Sequence, residues 1–259
     1  MSPIDDLDPN PLVEFREVSY AVNGGRPIID RLSLQVTQGE TLVLLGESGC
    51  GKTTTLRLVN RLLTPTAGEI LVEGKATTEW DVIRLRRRTG YVIQEAGLFP
   101  HFTVAENVSL VPSLEKWSED RIANRVNELL SLVGLEPGQF SDRYPRELSG
   151  GQKQRVGVAR ALAADPPLLL MDEPFGALDP LTRASLQKEF AELKSRLNKT
   201  VIFVTHDVRE ALLLGSRIAL MDKGWIVLLE TPQGFLKSNN ELARAYLETL
   251  SEPPAVAGG

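Results

Sequence analysis

The stretch GESGCGKT, Gly46 to Thr53, narrows the folds open to this chain more than any other part of it. It fits G-x-x-x-x-G-K-[ST] and lies between an apolar run, TLVLLG from Thr41, and a helical pattern, KTTTLRLVNRLL from Lys52. Strand, glycine-rich loop and helix in that order form a cradle for phosphate. Glycines let the backbone curl so that successive N–H groups point inward, and the helix adds the positive end of its dipole. Gly46, Glu47, Ser48, Gly49, Cys50 and Gly51 are read as the loop. Lys52 is placed to neutralise β and γ phosphates, Thr53 to coordinate Mg²⁺ through its hydroxyl, and Thr54 to make a further phosphate contact. Cys50 reads as a small side chain within the loop in preference to a redox sensor.

A second constellation sits in LLLMDE, Leu168 to Glu173, an apolar strand ending in two carboxylates. Alternation along a strand points Asp172 and Glu173 in opposite directions, so they can do different jobs. Asp172 is read as holding the Mg²⁺ shell. Glu173 is read as orienting and activating an attacking water, because phosphoryl transfer needs charge neutralisation and an in-line nucleophile more than covalent help. Alone, such a pair is two acids closing a strand; after the loop at Gly46 the functional reading is favoured.

The rest of the chain fits around these pieces. TLVLLG, PLLLMDE, TVIFVTH, RIALMD and WIVLL are apolar on both faces, as in a buried, largely parallel sheet. Helical patterns from Lys52, Leu181 and Asp207 alternate with them. Between Val104 and Ala164 the periodicity is helical, which predicts an inserted helical unit. LVEFREVSY and LSLQVTQGE alternate like antiparallel strands with one wetter face. The net charge of −5, with 34 acidic against 29 basic residues, argues against a nucleic-acid partner. The basic run RLRRR, Arg84 to Arg88, is interleaved with leucine and reads as a solvated helix face. One cysteine fits a reducing compartment. The acidic N-terminus lacks the basic and apolar regions of a signal peptide, and no apolar run approaches the roughly 18 residues that span a bilayer. A cytosolic protein that docks onto something membrane-spanning is expected.

The loop, the strand ending in Asp172 and Glu173, and LSGGQ from Leu148 together resemble the ATP-binding cassette (ABC) ATPases. The resemblance implies an α/β fold: a P-loop NTPase (RecA-like) core with a mostly parallel sheet, an N-terminal antiparallel β subdomain and an inserted α-helical subdomain. It implies one domain over 1–259, with the core and antiparallel part over about 12–103 and 165–235, the helical part over about 104–164, and a disordered tail over about 251–259. ATP and Mg²⁺ are the implied ligands. Gln94 resembles the glutamine that senses Mg²⁺ and the γ-phosphate and faces the transport subunits. GALD, Gly176 to Asp179, resembles the loop that crosses a dimer interface, and His206 the histidine that contacts the γ-phosphate. The family often stacks adenine on an aromatic where this chain has Val22; Tyr20, on the same strand face, is the candidate substitute.

ELSGGQKQR, Glu147 to Arg155, carries no nucleophile or acid/base pair of its own. Ser149 and Gln152 fit a capping box for the helix that follows. Gly150 and Gly151 in its first turn cost on the order of 1 kcal/mol each relative to alanine, which close approach of an anion to the helix start would offset. The resemblance places that anion in a second copy: in a head-to-tail dimer each chain's Ser149, Gly150, Gly151 and Gln152 close over its partner's γ-phosphate.

Longer stretches, GYVIQEAGLFPHFTVAENVSLVP and DRYPRELSGGQKQRVGVARALAADPPLLLMDEPFGALDP among them, resemble ATP-binding subunits of bacterial importers for glycine betaine, choline or carnitine. That implies transmembrane permease subunits as partners, an external substrate-binding protein as an indirect one, and a peripheral place on the cytoplasmic face of the inner membrane. Some relatives add a C-terminal pair of CBS modules; here the sequence ends soon after YLETLSEPP, so regulation of that kind is expected to be absent or on another polypeptide. The alternatives are a non-transport ABC ATPase acting on nucleic acid or the ribosome, an importer ATPase for another small solute, and a scaffold with a dead site.

Overall fold

The computed structural model describes residues 10–94, 96–197 and 199–250. The acidic N-terminal stretch and the tail expected over 251–259 lie outside the described residues. Two long strands come first, β1 (Val13–Ala21) and β2 (Pro27–Val36), paired antiparallel with Val13 opposite Val36 and Phe15 opposite Leu34. The buried strand β3 (Thr41–Leu45) runs into the glycine-rich loop and α1 (Lys52–Val59). β4 (Ala67–Val72) returns beside β1, and β5 (Lys75–Ala76) completes an antiparallel sheet of order β2-β1-β4-β5. After α2 (Val82–Arg87) and β6 (Thr89–Val92) the chain turns helical through α3 (Val104–Leu114), α4 (Glu119–Leu132), α5 (Pro137–Phe140) and α6 (Gly150–Leu162). Then come β7 (Leu168–Asp172), α7 (Pro180–Leu197), β8 (Thr200–Thr205) and α8 (Val208–Leu214). β9 (Arg217–Asp222), β10 (Trp225–Glu230), α9 (Pro232–Leu236) and α10 (Glu241–Glu248) follow.

The second sheet has the order β10-β9-β3-β8-β7-β6. Its neighbours from β9 to β6 are parallel, because each return to the sheet crosses over through helix. Side chains alternate across it and divide the interior in two. Leu42, Leu44, Leu168, Leu170, Ile202 and Val204 pack toward α1 and the antiparallel sheet. Val43, Leu45, Leu169, Met171, Val201 and Phe203 pack toward the helical insertion, α7 and α8. The basic run on α2 buries only Leu85, while Arg87 pairs with Glu115 and Arg88 with Glu73, so it is the solvated helix face expected.

One strand differs from expectation. WIVLL was expected among the buried parallel strands, yet β10 is the antiparallel edge, with Trp225 opposite Asp222. Lys223 and Gly224, at φ 47° and 88°, form a two-residue turn that folds the chain straight back on β9. Such a hairpin leaves no room for the crossover helix that a parallel neighbour needs, and the outer edge leaves Trp225 and Val227 exposed.

The core on the helical side is knit by aromatic rings. Phe203 is fully buried on β8, with its ring 5.9 Å from that of Phe175 and 6.3 Å from that of Phe190. Phe203→Ala leaves a cavity there and is expected to cost about 3–5 kcal/mol of stability, read as a lowered urea midpoint in circular dichroism.

Candidate active site

The loop between β3 and α1 closes on its own lysine. Lys52 is 4% exposed, and its Nζ donates to the carbonyls of Gly46 at 2.7 Å and Glu47 at 2.8 Å. A buried ammonium has to be paired, so the loop is drawn into a ring over the start of α1. Gly51 enters that helix at φ 110°, where a Cβ would stand 2.5 Å from Ile29 Cδ1; only glycine takes that conformation at no steric cost. The Gly224 N–H donates to the Cys50 carbonyl at 3.0 Å, and the Gly224 carbonyl accepts from the Asp30 N–H at 3.2 Å. The β9–β10 hairpin thus straps the loop to β2. Cys50 is buried, and burial pushes its thiol up, which suits a packing role better than a reactive one. Glu47, Ser48 and Gly49 form the exposed rim, with Thr53 and Thr54 half-buried at the helix start.

Beside the loop, the Thr53 hydroxyl donates to Asp172 Oδ1 at 2.8 Å and the Tyr91 hydroxyl to Asp172 Oδ2 at 3.3 Å. Burial is the main cause that pushes the Asp172 carboxyl above its ordinary value, against the lowering effect of those two donors. Burial and then the Asp172 charge push the Tyr91 hydroxyl up to about 12, so it stays a donor. Glu173 follows at φ 44°, a left-handed backbone that turns it away from Asp172, and its N–H bonds the Val204 carbonyl at 3.0 Å. Glu173 Oε2 lies 3.1 Å from His206 Nδ1 at the end of β8. A Cβ on Gly176 would fall 3.2 Å from the Gln94 amide nitrogen and 3.6 Å from Glu173 Oε2, so Gln94, Glu173 and His206 gather at one edge of the sheet. The Thr53 hydroxyl and the Asp172 carboxylate, already in contact, are oxygen donors of the kind that suits Mg²⁺, which takes one or two carboxylates and completes its shell with phosphate and water.

Ser149 and Gln152 form the reciprocal capping box that their spacing predicted, at 3.3 Å and 2.9 Å. The N–H groups of Gly150 and Gly151 at that helix start point outward from the first turn. The two glycines differ in a way that the sequence did not disclose. Gly150 is exposed, and a Cβ on it would make an ordinary 3.5 Å contact with Leu178. Gly151 is buried, and a Cβ on it would stand 2.7 Å from Thr182 Cγ2 of α7. The lack of a Cβ at Gly151 therefore has a packing reason inside the chain, whatever its N–H group meets. Asp179 accepts from the Thr182 N–H at 3.0 Å and so caps α7.

The ABC transporter family model matches residues 29–176. The chain belongs to the ABC transporter family. It is 50% identical over 237 residues to the glycine betaine/carnitine/choline transport ATP-binding protein OpuCA of Bacillus subtilis (strain 168), covering 91% of this chain and 62% of that protein. It is 48% identical over 236 residues to the glycine betaine uptake system ATP-binding protein YehX of Escherichia coli (strain K12), covering 91% of this chain and 76% of that protein. The dimeric post-hydrolysis state of the ATP-binding cassette MJ0796 bound to ADP and Pi has a TM-score of 0.74 at 34% identity, covering 85% of this chain and 98% of that one. Three of the curated relatives it matches are longer, and the chain spans 62, 59 and 57% of their lengths.

Within this ABC chain, Tyr20 packs half-buried against the core cluster that holds Ile29 and Cys50, whereas Val22 at the end of β1 is 52% exposed. Sequence reasoning missed several supporting residues. Arg183 donates to the carbonyls of Phe175, Gly176 and Leu178 and so fixes the loop after Glu173. Glu210, whose carboxyl burial pushes up, accepts from Thr205 and Gln187 beneath His206. Tyr91 stands opposite Leu170, two residues before Asp172, a register that the sheet alone supplies. The glycine pair yields a direct check: Gly151→Ala is expected to be about 1–3 kcal/mol less stable than Gly150→Ala, measured by urea unfolding of the two variants side by side.

Proposed function

We propose that this chain is the ATP-binding and hydrolysing subunit that powers an ABC importer, one for quaternary-amine osmoprotectants of the glycine betaine, choline and carnitine type. The observation that supports it most is the meeting of Lys52, Thr53, Asp172, Glu173 and His206 at one edge of the parallel sheet. Near 50% identity to importer subunits supports the transport role and the solute class.

The triphosphate would lie along residues 46–54, with backbone N–H groups and the α1 dipole facing it and Lys52 turned from its loop carbonyls to the β and γ oxygens. Thr53, Asp172 and Gln94 would hold Mg²⁺, which would supply neutralisation of the phosphate charge. Glu173 would hold a water in line with the γ-phosphorus and take up its proton as the bond to the leaving ADP breaks. His206, hydrogen-bonded to Glu173, keeps that carboxylate aimed and meets the γ-phosphate with its other ring nitrogen. Ser149 and the N–H groups of Gly150 and Gly151 would close over the γ-phosphate of a second copy, head to tail, with Asp179 at the interface. ATP would then favour the closed pair and ADP the open one, and that difference can move a membrane partner between states.

No helix among the described residues is long and apolar enough to cross a membrane. Likeness to importer subunits supports a peripheral place on the cytoplasmic face, docked on permease subunits that a binding protein supplies with solute. Ile93, Phe99 and Phe102, all within eight residues of Gln94, are exposed, apolar side chains fit to receive a short permease helix.

Glu173→Gln keeps the shape and removes the base. It is expected to lower Mg²⁺-dependent ATPase activity at least about 100-fold and to accumulate an ATP-bound dimer in light scattering; a strictly monomeric variant would count against the role. Gly150→Asp puts a carboxylate at the exposed helix start and is expected to keep nucleotide binding while abolishing turnover. The solute class is tested by co-purification with the membrane partner and ATP-driven uptake of a panel of quaternary amines into vesicles.

A further inference from the structure

Asp172 is held from two sides by elements far apart in the chain. Thr53 on α1 donates to one carboxylate oxygen at 2.8 Å, and Tyr91 on β6 to the other at 3.3 Å. Because β6 and β7 are parallel with Tyr91 opposite Leu170, Tyr91 and Asp172 emerge on the same face of the sheet, the face against which α1 packs. Arg57, one helical turn after Thr53, lies beside the Tyr91 hydroxyl. Two donors on two different oxygens fix the plane of a carboxylate that would otherwise rotate about its last bond.

We infer that Tyr91 is a positioning residue for Asp172: its hydroxyl orients the carboxylate that holds the Mg²⁺ shell of the nucleotide. The inference rests on the reading of Asp172 proposed above. A hydroxyl that meets a cation through its lone pair keeps its proton free, so Thr53 can bond Mg²⁺ and still donate to Oδ1. Tyr91 does not compete for the cation; it takes one site on Oδ2, as Thr53 does on Oδ1, and the plane so fixed sets where the remaining lone pairs point. Groups that orient a ligating side chain typically contribute 10–100-fold to metal affinity or activity.

Tyr91→Phe keeps the ring and the strand packing and deletes the hydroxyl, and Tyr91→Met fills the position without an aromatic ring. Both are measured in the full chain beside Asp172→Asn. Binding of a fluorescent ATP analogue in EDTA reports the phosphate loop, and Mn²⁺ binding in the presence of a non-hydrolysable ATP analogue, followed by electron paramagnetic resonance, reports the metal shell. Expected for both Tyr91 variants are unchanged nucleotide binding in EDTA, Mn²⁺ binding weakened about 10-fold, and a matching rise in the Mg²⁺ concentration for half-maximal ATPase. A merely structural role would move nucleotide binding in EDTA as well, and that result overturns the inference. So does unchanged Mn²⁺ binding in Tyr91→Phe while Asp172→Asn weakens it. If Asp172→Asn itself leaves Mn²⁺ binding unchanged, the assignment of Asp172 fails, and the role of Tyr91 with it.

Discussion

Lys52 carries its charge into the interior, and two loop carbonyls meet it there. The cost of burying an ammonium without partners is large enough to decide the local conformation. The path from β3 to α1 is therefore not a free loop but a ring pulled tight around its own lysine. The parts of the site on this side of the sheet take their position from that ring. Thr53 follows Lys52 and reaches Asp172; Cys50 offers its carbonyl to Gly224 and so receives the far hairpin; Gly51 lets α1 begin against Ile29.

The sheet that carries the ring also separates two interiors with different tasks. On one side α1 and the antiparallel sheet support the phosphate loop and Asp172. On the other, α6, α7 and α8 support the capped helix start at Ser149 and the bases of Glu173 and His206. Asp172 and Glu173 are adjacent in sequence yet serve these two sides, and the left-handed backbone at Glu173 makes that division possible. Arg183 and Glu210 stiffen the second side from below without reaching its edge.

What could be read in the sequence was what the chain carries contiguously. Residues 46–54, the acids at 172 and 173, and the serine and glutamine three apart at 149 and 152 declare themselves because each works through its immediate neighbours. Tyr91 did not, because its partner lies 81 residues away and is reached only through the register of two parallel strands. The packing reason for Gly151 was hidden for the same cause: Thr182 comes from another helix. The Trp225 run does not declare itself an antiparallel edge, because its turn has Lys223 where asparagine or aspartate usually announces such a hairpin.

Glu173 holds its carboxylate at the price of a backbone conformation that glycine or asparagine would adopt with less strain. Residues kept in such regions cost of order 1–3 kcal/mol each. Stability and activity thus pull in opposite directions at this one codon. In a lineage that still used the site, selection would hold an acid there against the thermodynamic preference of its own fold. In a lineage freed from the task, a glycine here would release that strain and give up the bond to His206 together with it.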